Sequence, residues 1–500
     1  MKRLQYFSVD KLNKISKHKE IYCYGCGKIF FELIERYADE LFVQNITKVI
    51  DGNKNIWGTS VKVQNKEIWI ESPDTVEKIK SNDVLILITT NRYEEVYESL
   101  CKKIARDDVI CSKYPETYYE SAKVWLRLFS WFPKKRSLLF HYGNEPHENA
   151  IAILKYLKEE NLTTKHRVVL LTEKGSPYPR YVKENISILR EDLREKSSVK
   201  NMIRYCYYYA SSKYLCYENE CIPKVGKGQK LIYLNHGTLP LKNVKDVLRQ
   251  PEELDYAVCP SSNCAQIYLE QYGVPVEKQI YMMQPRVSLL FNSDREIRDV
   301  IRQDYKQLIM WLPTFRSLKG SERVDSKQTN VCSLLSKEEA VERLNETLRK
   351  HDQVLVIKRH PREKAELQIS SKYQNICVID NTDLEQADIV LQEFLGKTDA
   401  LLTDYSGIMF EYLFLNKPIG YVIDDMEEYH RGFSVENPLD YMQGEKITTI
   451  DTLCEFLEKV SLGRDEYKER RNALRKKIFE DVDFVAGTRE LMNLLEMEKI

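Results

Sequence analysis

Short apolar runs, each followed by a polar turn and then a helix-period pattern, recur along this chain. In the first segment, about 19–113, the runs 21–24, 48–50 and 84–88 read as strands, and 29–37 and 93–105 as amphipathic helices. A second segment, from 137 to about 292, repeats the pattern with strands at 138–140, 168–171, 231–234 and 256–258 and helices at 149–160 and 201–211. A third, from about 295, places strands at 308–311, 354–357, 400–403 and 419–423, with a buried helix at 408–415. Strands alternating with helices predict parallel sheets, so the fold class is α/β. The domains expected are a Rossmann-like domain at 1–115, a linker helix at 116–136, and two α/β halves at 137–305 and 306–500. The helix at 465–480 is charged on most faces and is expected to be solvated. The linker stretch can set Trp125, Leu128, Phe129 and Phe132 on one face, ahead of Lys134-Lys135-Arg136. Two readings of it stay open: a helix lying in a membrane interface, or one packing its aromatics between lobes.

Ligands of open parallel sheets bind beyond the carboxyl ends of strands. Three successive strand ends in the third segment carry Arg316, then Lys358 and His360, then Asp404 and Ser406. Parallel strands end on one edge, so these groups are expected to converge on a single anion-binding crevice. Ser406-Gly407 also opens a helix, whose free N–H groups and dipole favour phosphate; Asp404 or Ser406 would serve equally as a plain N-cap. In the second segment, one strand runs into His141-Tyr142-Gly143 and another into Asn235-His236-Gly237-Thr238, which sets His236 facing the crevice. In the first segment Gly25 and Gly27 form a GxG turn, and Asp51 follows at close to the spacing of a dinucleotide fingerprint, but Phe30 stands where its third glycine belongs. Gly25, Gly27 and Asp51 are thus candidates for binding a nucleotide or nucleotide-sugar, against a degenerate structural domain.

Composition narrows this further. Lys and Arg number 76 and Asp and Glu 76, so no global basic field draws the chain to nucleic acid. No apolar run reaches the ~18 residues of a membrane span, and no signal-peptide core follows Met1-Lys2-Arg3; a cytoplasmic protein is expected. Twelve scattered cysteines fit a reducing compartment. The one CxxC, Cys23-Tyr24-Gly25-Cys26, has its first cysteine in a strand, which speaks against redox chemistry. No carboxylate cluster with metal-ligand spacing is visible, so catalysis without a metal or other cofactor is expected.

Five ordered motifs carry a resemblance to a known family. They are His236-Gly237-Thr238-Leu239-Pro240-Leu241-Lys242, Pro285-Arg286-Val287-Ser288-Leu289-Leu290-Phe291, Leu312-Pro313-Thr314-Phe315-Arg316, Lys358-Arg359-His360-Pro361, and Thr403-Asp404-Tyr405-Ser406-Gly407-Ile408-Met409-Phe410-Glu411. With Arg431-Gly432-Phe433 downstream, they resemble the CDP-glycerol glycerophosphotransferases, which prime or polymerise wall teichoic acids and related capsules. Leu239 is an extra residue against that pattern, Ser288 and Leu289 depart from it, Gly407 replaces a serine and Glu411 an aspartate.

The resemblance implies a GT-B-like pair of Rossmann-type domains facing a cleft. It also implies transfer of glycerol phosphate or another polyol phosphate from CDP-glycerol or CDP-ribitol to a hydroxyl, releasing CMP. His236 would be the general base, since an imidazole titrates near neutrality. Arg316, His360 and Ser406-Gly407 would hold the diphosphate with Lys358 and Arg431, and Asp404 and Glu411 complete the substrate-binding set. A lipid-linked glycan or polyol-phosphate acceptor would bring the protein to the inner face of the membrane. The alternatives are a GT-B glycosyltransferase using a nucleotide sugar and a non-catalytic nucleotide-binding scaffold. The polyol, priming versus polymerisation, and oligomeric state stay open.

Overall fold

Alternate residues along the central strands of the N-terminal sheet face two different apolar cores. Ile21, Cys23, Leu85 and Leu87 enter one, and Tyr22, Tyr24, Ile86 and Ile88 the other. That is the signature of a parallel sheet covered on both faces, and it explains why 84–88 reads as an unbroken apolar run. The strands are β1 (Lys2–Leu4), β2 (Glu20–Tyr24), β3 (Ile46–Ile50), β4 (Ser60–Val63), β5 (Lys66–Glu71), β6 (Val84–Ile88) and β7 (Ile110–Lys113). Their order is β1-β7-β6-β2-β3-β5-β4, parallel throughout except for the β4–β5 hairpin.

This computed structural model describes the chain apart from residues 1, 5–8, 80–83, 91–92, 105–109, 114–116, 144–147, 163–166, 173–185, 191–198, 220, 246–247, 294–295, 302, 315–331, 360–368, 370–371, 481 and 498–500. Its described residues divide into two compact units, 1–125 and 126–500.

The second unit holds two further sheets. One contains β8 (Lys135–Gly143), β9 (Arg167–Thr172), β10 (Ile186–Arg190), β11 (Ser212–Tyr217), β12 (Lys230–Tyr233), β13 (Tyr256–Cys259) and β14 (Gln279–Tyr281), in the order β10-β9-β8-β11-β12-β13-β14. The other contains β15 (Gln307–Leu312), β16 (Gln353–Lys358), β17 (Ile376–Ile379), β18 (Ala400–Thr403), β19 (Ile419–Val422) and β20 (Glu445–Ile447), ordered β17-β16-β15-β18-β19-β20. Every pairing in both is parallel. Strand order reverses between β8 and β11 in the first and between β15 and β18 in the second, so each sheet has a crevice at those strand ends. The last helix, Gly487–Met497, returns to the first of these sheets, where Leu491, Met492 and Leu495 join the core built on Phe140, Leu170 and Ile232.

Two expectations change. The buried helix after β18 is Ile408–Tyr412, five residues rather than the eight of 408–415, because the N–H groups of Phe414, Leu415 and Asn416 bond back three residues instead of four, and Asn416 then turns left-handed. The charged C-terminal helix, Lys468–Phe479, is not a wet face: it buries Arg471, Leu474, Ile478 and Phe479. Arg471 is fully buried, pairs with both oxygens of Asp465 and donates to the Asn416 carbonyl at 3.3 Å. Removing one partner of a buried pair strands the other in a poorly solvated place. Arg471→Ala is therefore expected to cost about 3 kcal/mol, read as a lowered urea midpoint.

Candidate active site

The loop after β12 holds His236 in a constrained frame. Asn235 has φ 63, a left-handed conformation that asparagine tolerates better than most residues. Its buried amide accepts from the Tyr233 hydroxyl at 2.9 Å and donates to the Tyr268 hydroxyl at 3.0 Å. Tyr268 in turn donates to the Thr238 carbonyl at 3.0 Å, and the Asn149 amide donates to the Asn235 carbonyl at 2.9 Å. The backbone on both sides of His236 is thereby fixed while the residue itself is exposed. A side chain on such a frame is pre-positioned for chemistry at little reorganisation cost.

Arg286 lies beneath this loop, 4 % exposed. It donates to the His236 carbonyl at 2.6 Å, to Glu411 Oε1 from Nε at 3.0 Å and from Nη2 at 2.7 Å, and approaches Glu148 at 3.5 Å. Its backbone N–H donates to Asn149 Oδ1 at 3.0 Å. Burial works against the guanidinium charge, but Glu411, Glu148 and Glu218 outweigh it and raise its pKa.

Glu148 opens the helix Glu148–Glu159 beyond β8, and Glu218 directly follows β11, so both sit at the β8/β11 reversal. They are 7 % and 2 % exposed. Carboxylate oxygens of both and a ring nitrogen of His236 lie within 4.8 Å of one another. Burial, then the Glu148 charge, push the Glu218 carboxyl up to about 8, against the opposing pull of Arg286. No such cluster is visible in residue spacing, because its members come from three separate elements.

The other half presents its own strand-end groups. Adjacent β16, β15 and β18 end on one edge, as expected from the sequence. Arg316 and His360 lie outside the described residues. Lys358 closes β16 and is half-buried. Asp404 is buried, and its Oδ2 accepts from the Thr314 N–H at 2.9 Å and hydroxyl at 3.0 Å, so it ties the turn after β15 to that after β18. Ser406 and Gly407 are half-buried, and Ser406 Oγ accepts from the Ile408 N–H at 3.4 Å, a cap-like contact on a helix too short for a strong dipole. Glu411 is wholly buried against Arg286, which makes it a support for the His236 loop. Arg431 Nε donates to the Asn243 carbonyl at 2.9 Å, joining a Lys242–Phe433 antiparallel bridge and a Ser434 N–H to Leu241 carbonyl bond of 2.9 Å. The chain just past His236 is thus paired with 431–434.

In the N-terminal unit, Gly25 has φ 108 and a Cβ there would press on the Thr89 carbonyl at 3.0 Å, whereas Gly27 faces open space. Asp51 accepts from the Cys26 N–H at 2.6 Å and the Asn53 N–H at 2.8 Å, so its carboxylate braces the GxG turn. Phe30 is fully buried in the core. Burial pushes the Cys23 thiol up, and burial with Asp51 pushes Cys26 up to about 11, so both favour the unreactive thiol form.

Two adjoining Rossmann-type sheets with crevices at their switch points define a GT-B-like enzyme architecture. Within that class the chain belongs to the CDP-Glycerol:Poly(glycerophosphate) glycerophosphotransferase family, whose model matches residues 124–493. It is 23% identical over 327 residues to the teichoic acid poly(ribitol-phosphate) polymerase of Bacillus spizizenii, covering 60% of this chain and 49% of that protein. It is 26% identical over 193 residues to the teichoic acid glycerol-phosphate primase of Bacillus subtilis, covering 38% and 45%. The chain thus spans about half the length of these curated relatives. Its fold is similar to solved structures of the wall teichoic acid polymerase TagF, with a TM-score of 0.57, 20% identity, and coverage of 76% of this chain and 93% of that one.

The two departures Leu239 and Gly407 meet in space. A Cβ on Gly407 would sit 2.5 Å from the Leu239 carbonyl oxygen. The Leu239 carbonyl thus occupies the space that a serine side chain at 407 would need. Gly407→Ser is expected to destabilise by about 1–3 kcal/mol through overpacking, and deleting Leu239 in the same chain should recover most of that, both read by thermal unfolding.

Proposed function

We propose that this protein transfers a polyol phosphate, glycerol phosphate or ribitol phosphate, from a CDP-activated donor to an acceptor hydroxyl in cell-wall polymer synthesis. The observation that carries this reading is an exposed His236 on a braced loop, set against the strand-end edge of the second half. The acceptor oxygen attacks the polyol-bearing phosphorus while His236 takes its proton; a new P–O bond forms and the bond to CMP breaks. Arg316, His360 and Ser406-Gly407, assisted by Lys358 and Arg431, stabilise charge on the diphosphate. No resident cofactor enters this scheme; the Gly25–Gly27 turn with Asp51 is kept as a separate candidate for a nucleotide or nucleotide-sugar.

The acceptor in this reading is a lipid-linked glycan or polyol phosphate, reached at a membrane surface. Leu128, Trp131 and Phe132 are 51 %, 85 % and 44 % exposed, and Arg127, Lys135 and Arg136 are exposed beside them. Apolar and aromatic groups ringed by cations suit an anionic lipid interface. No helix among the described residues is long and apolar enough to cross a membrane.

The wild-type protein should release CMP from CDP-glycerol or CDP-ribitol with a suitable acceptor. His236→Ala should reduce that release by about 10²–10⁴-fold, the usual worth of a general base. A nucleoside diphosphate product would instead mean sugar transfer and overturn the reading. In sedimentation with phosphatidylglycerol vesicles, Trp131→Ala with Phe132→Ala should weaken binding, and equal binding by the variant would remove this stretch from the membrane contact.

A further inference from the structure

The proposed base has two buried carboxyl groups behind it that the scheme above leaves unused. Resting on that scheme, we propose that Glu148 and Glu218 are positioning residues for His236, orienting its imidazole and stabilising the imidazolium formed when it takes the acceptor's proton. The argument is first one of place. Both stand at the strand-order reversal of their sheet, and their oxygens lie within 4.8 Å of each other and of a His236 ring nitrogen. That spacing is within reach of a hydrogen bond after a small side-chain rotation, and catalytic bonds in ligand-free enzymes are commonly long. A base oriented by a third group is the general logic of nucleophile activation.

The second argument is charge. Two carboxylates in a nearly dry site cannot both ionise without cost, and one proton held between them relieves the repulsion. Burial and the Glu148 charge favour the protonated Glu218 carboxyl, while Arg286, the Asn149 side chain and the Ala150 N–H oppose that. Cys216 and Tyr233, the other titratable groups facing Glu218, are themselves held protonated by burial first and by Glu218 as well. The pair therefore presents one negative charge to the ring near neutrality, enough to steady an imidazolium. During transfer the acceptor O–H bond breaks, an N–H bond forms on the ring, and the leaving electron pair departs with CMP; the Glu pair gains and loses no proton in that step.

The test compares wild type, Glu148→Gln and Glu218→Gln, all checked for native thermal unfolding. If wild type releases no CMP, the phosphotransfer reading fails; the remaining outcomes concern the pair alone. Glu148→Gln should lower kcat by about 10²-fold with the donor KM unchanged. It should also move the His236 ring titration, followed by nitrogen-15 NMR, to lower pH. Ionisation of the Glu pair near pH 8 should appear as a second inflection in the His236 ring-nitrogen shifts, and Glu218→Gln, which cannot ionise, should lack it. Unchanged kcat and ring titration in Glu148→Gln, or the same second inflection persisting in Glu218→Gln, would overturn the proposal. So would loss of wild-type activity in EDTA with recovery in Mn²⁺, which would make the three groups a metal site.

Discussion

The arrangement of the second unit depends on one buried guanidinium. Taking Arg286 out of water carries a penalty of several kcal/mol, and only dense compensation makes it tolerable. That compensation comes from both halves: Glu411 from the helix after β18, and Glu148 and the His236 carbonyl from the half built on β8–β14. An ion needing partners from two sheets is satisfied in one relative placement of them. Arg286 thereby sets the register of the two halves and the height of the His236 loop with a single set of bonds.

Much of this was legible in the sequence. The strand at 400–403 is found as read, and the adjacency of β15, β16 and β18 follows from alternation of apolar runs and helices. What stayed hidden has a common cause. β11 was missed because the helix Val199–Ser211 passes into Ser212–Tyr217 without a glycine or proline between them, and both elements are rich in tyrosine. Glu218 ends that strand and was lost with it. Glu148 sits one residue before the helix expected at 149–160. Arg286 stands inside one of the five sequence motifs without a role of its own there, since a lone arginine in a chain says nothing about which carboxylates will surround it. Pairwise electrostatics between distant elements is a property of the fold, whereas strand ends are a property of the local pattern.

The same distinction explains Asp404 and Arg471. Each belongs to a polar stretch that reads as surface or ligand-facing, and each proves to be an internal tie. Asp404 holds Thr314, and Arg471 holds Asp465 and the Asn416 carbonyl. Polar residues at turns serve backbone groups that would otherwise lack partners, and only the packed structure separates that duty from recognition.

The pairing of 240–243 with 431–434 has a thermodynamic corollary. Lys242 and Phe433 bridge, the Asn243 N–H donates to the Gly432 carbonyl at 3.1 Å, and Arg431 returns a bond to Asn243. A ligand that binds the Arg431 segment more tightly in this arrangement stabilises, by the same free energy, the chain leading back to His236. Reciprocity then requires that a molecule seated at His236 strengthen that ligand's affinity equally. The bridge thus couples the Arg431 segment to the chain leading back to His236 in both directions.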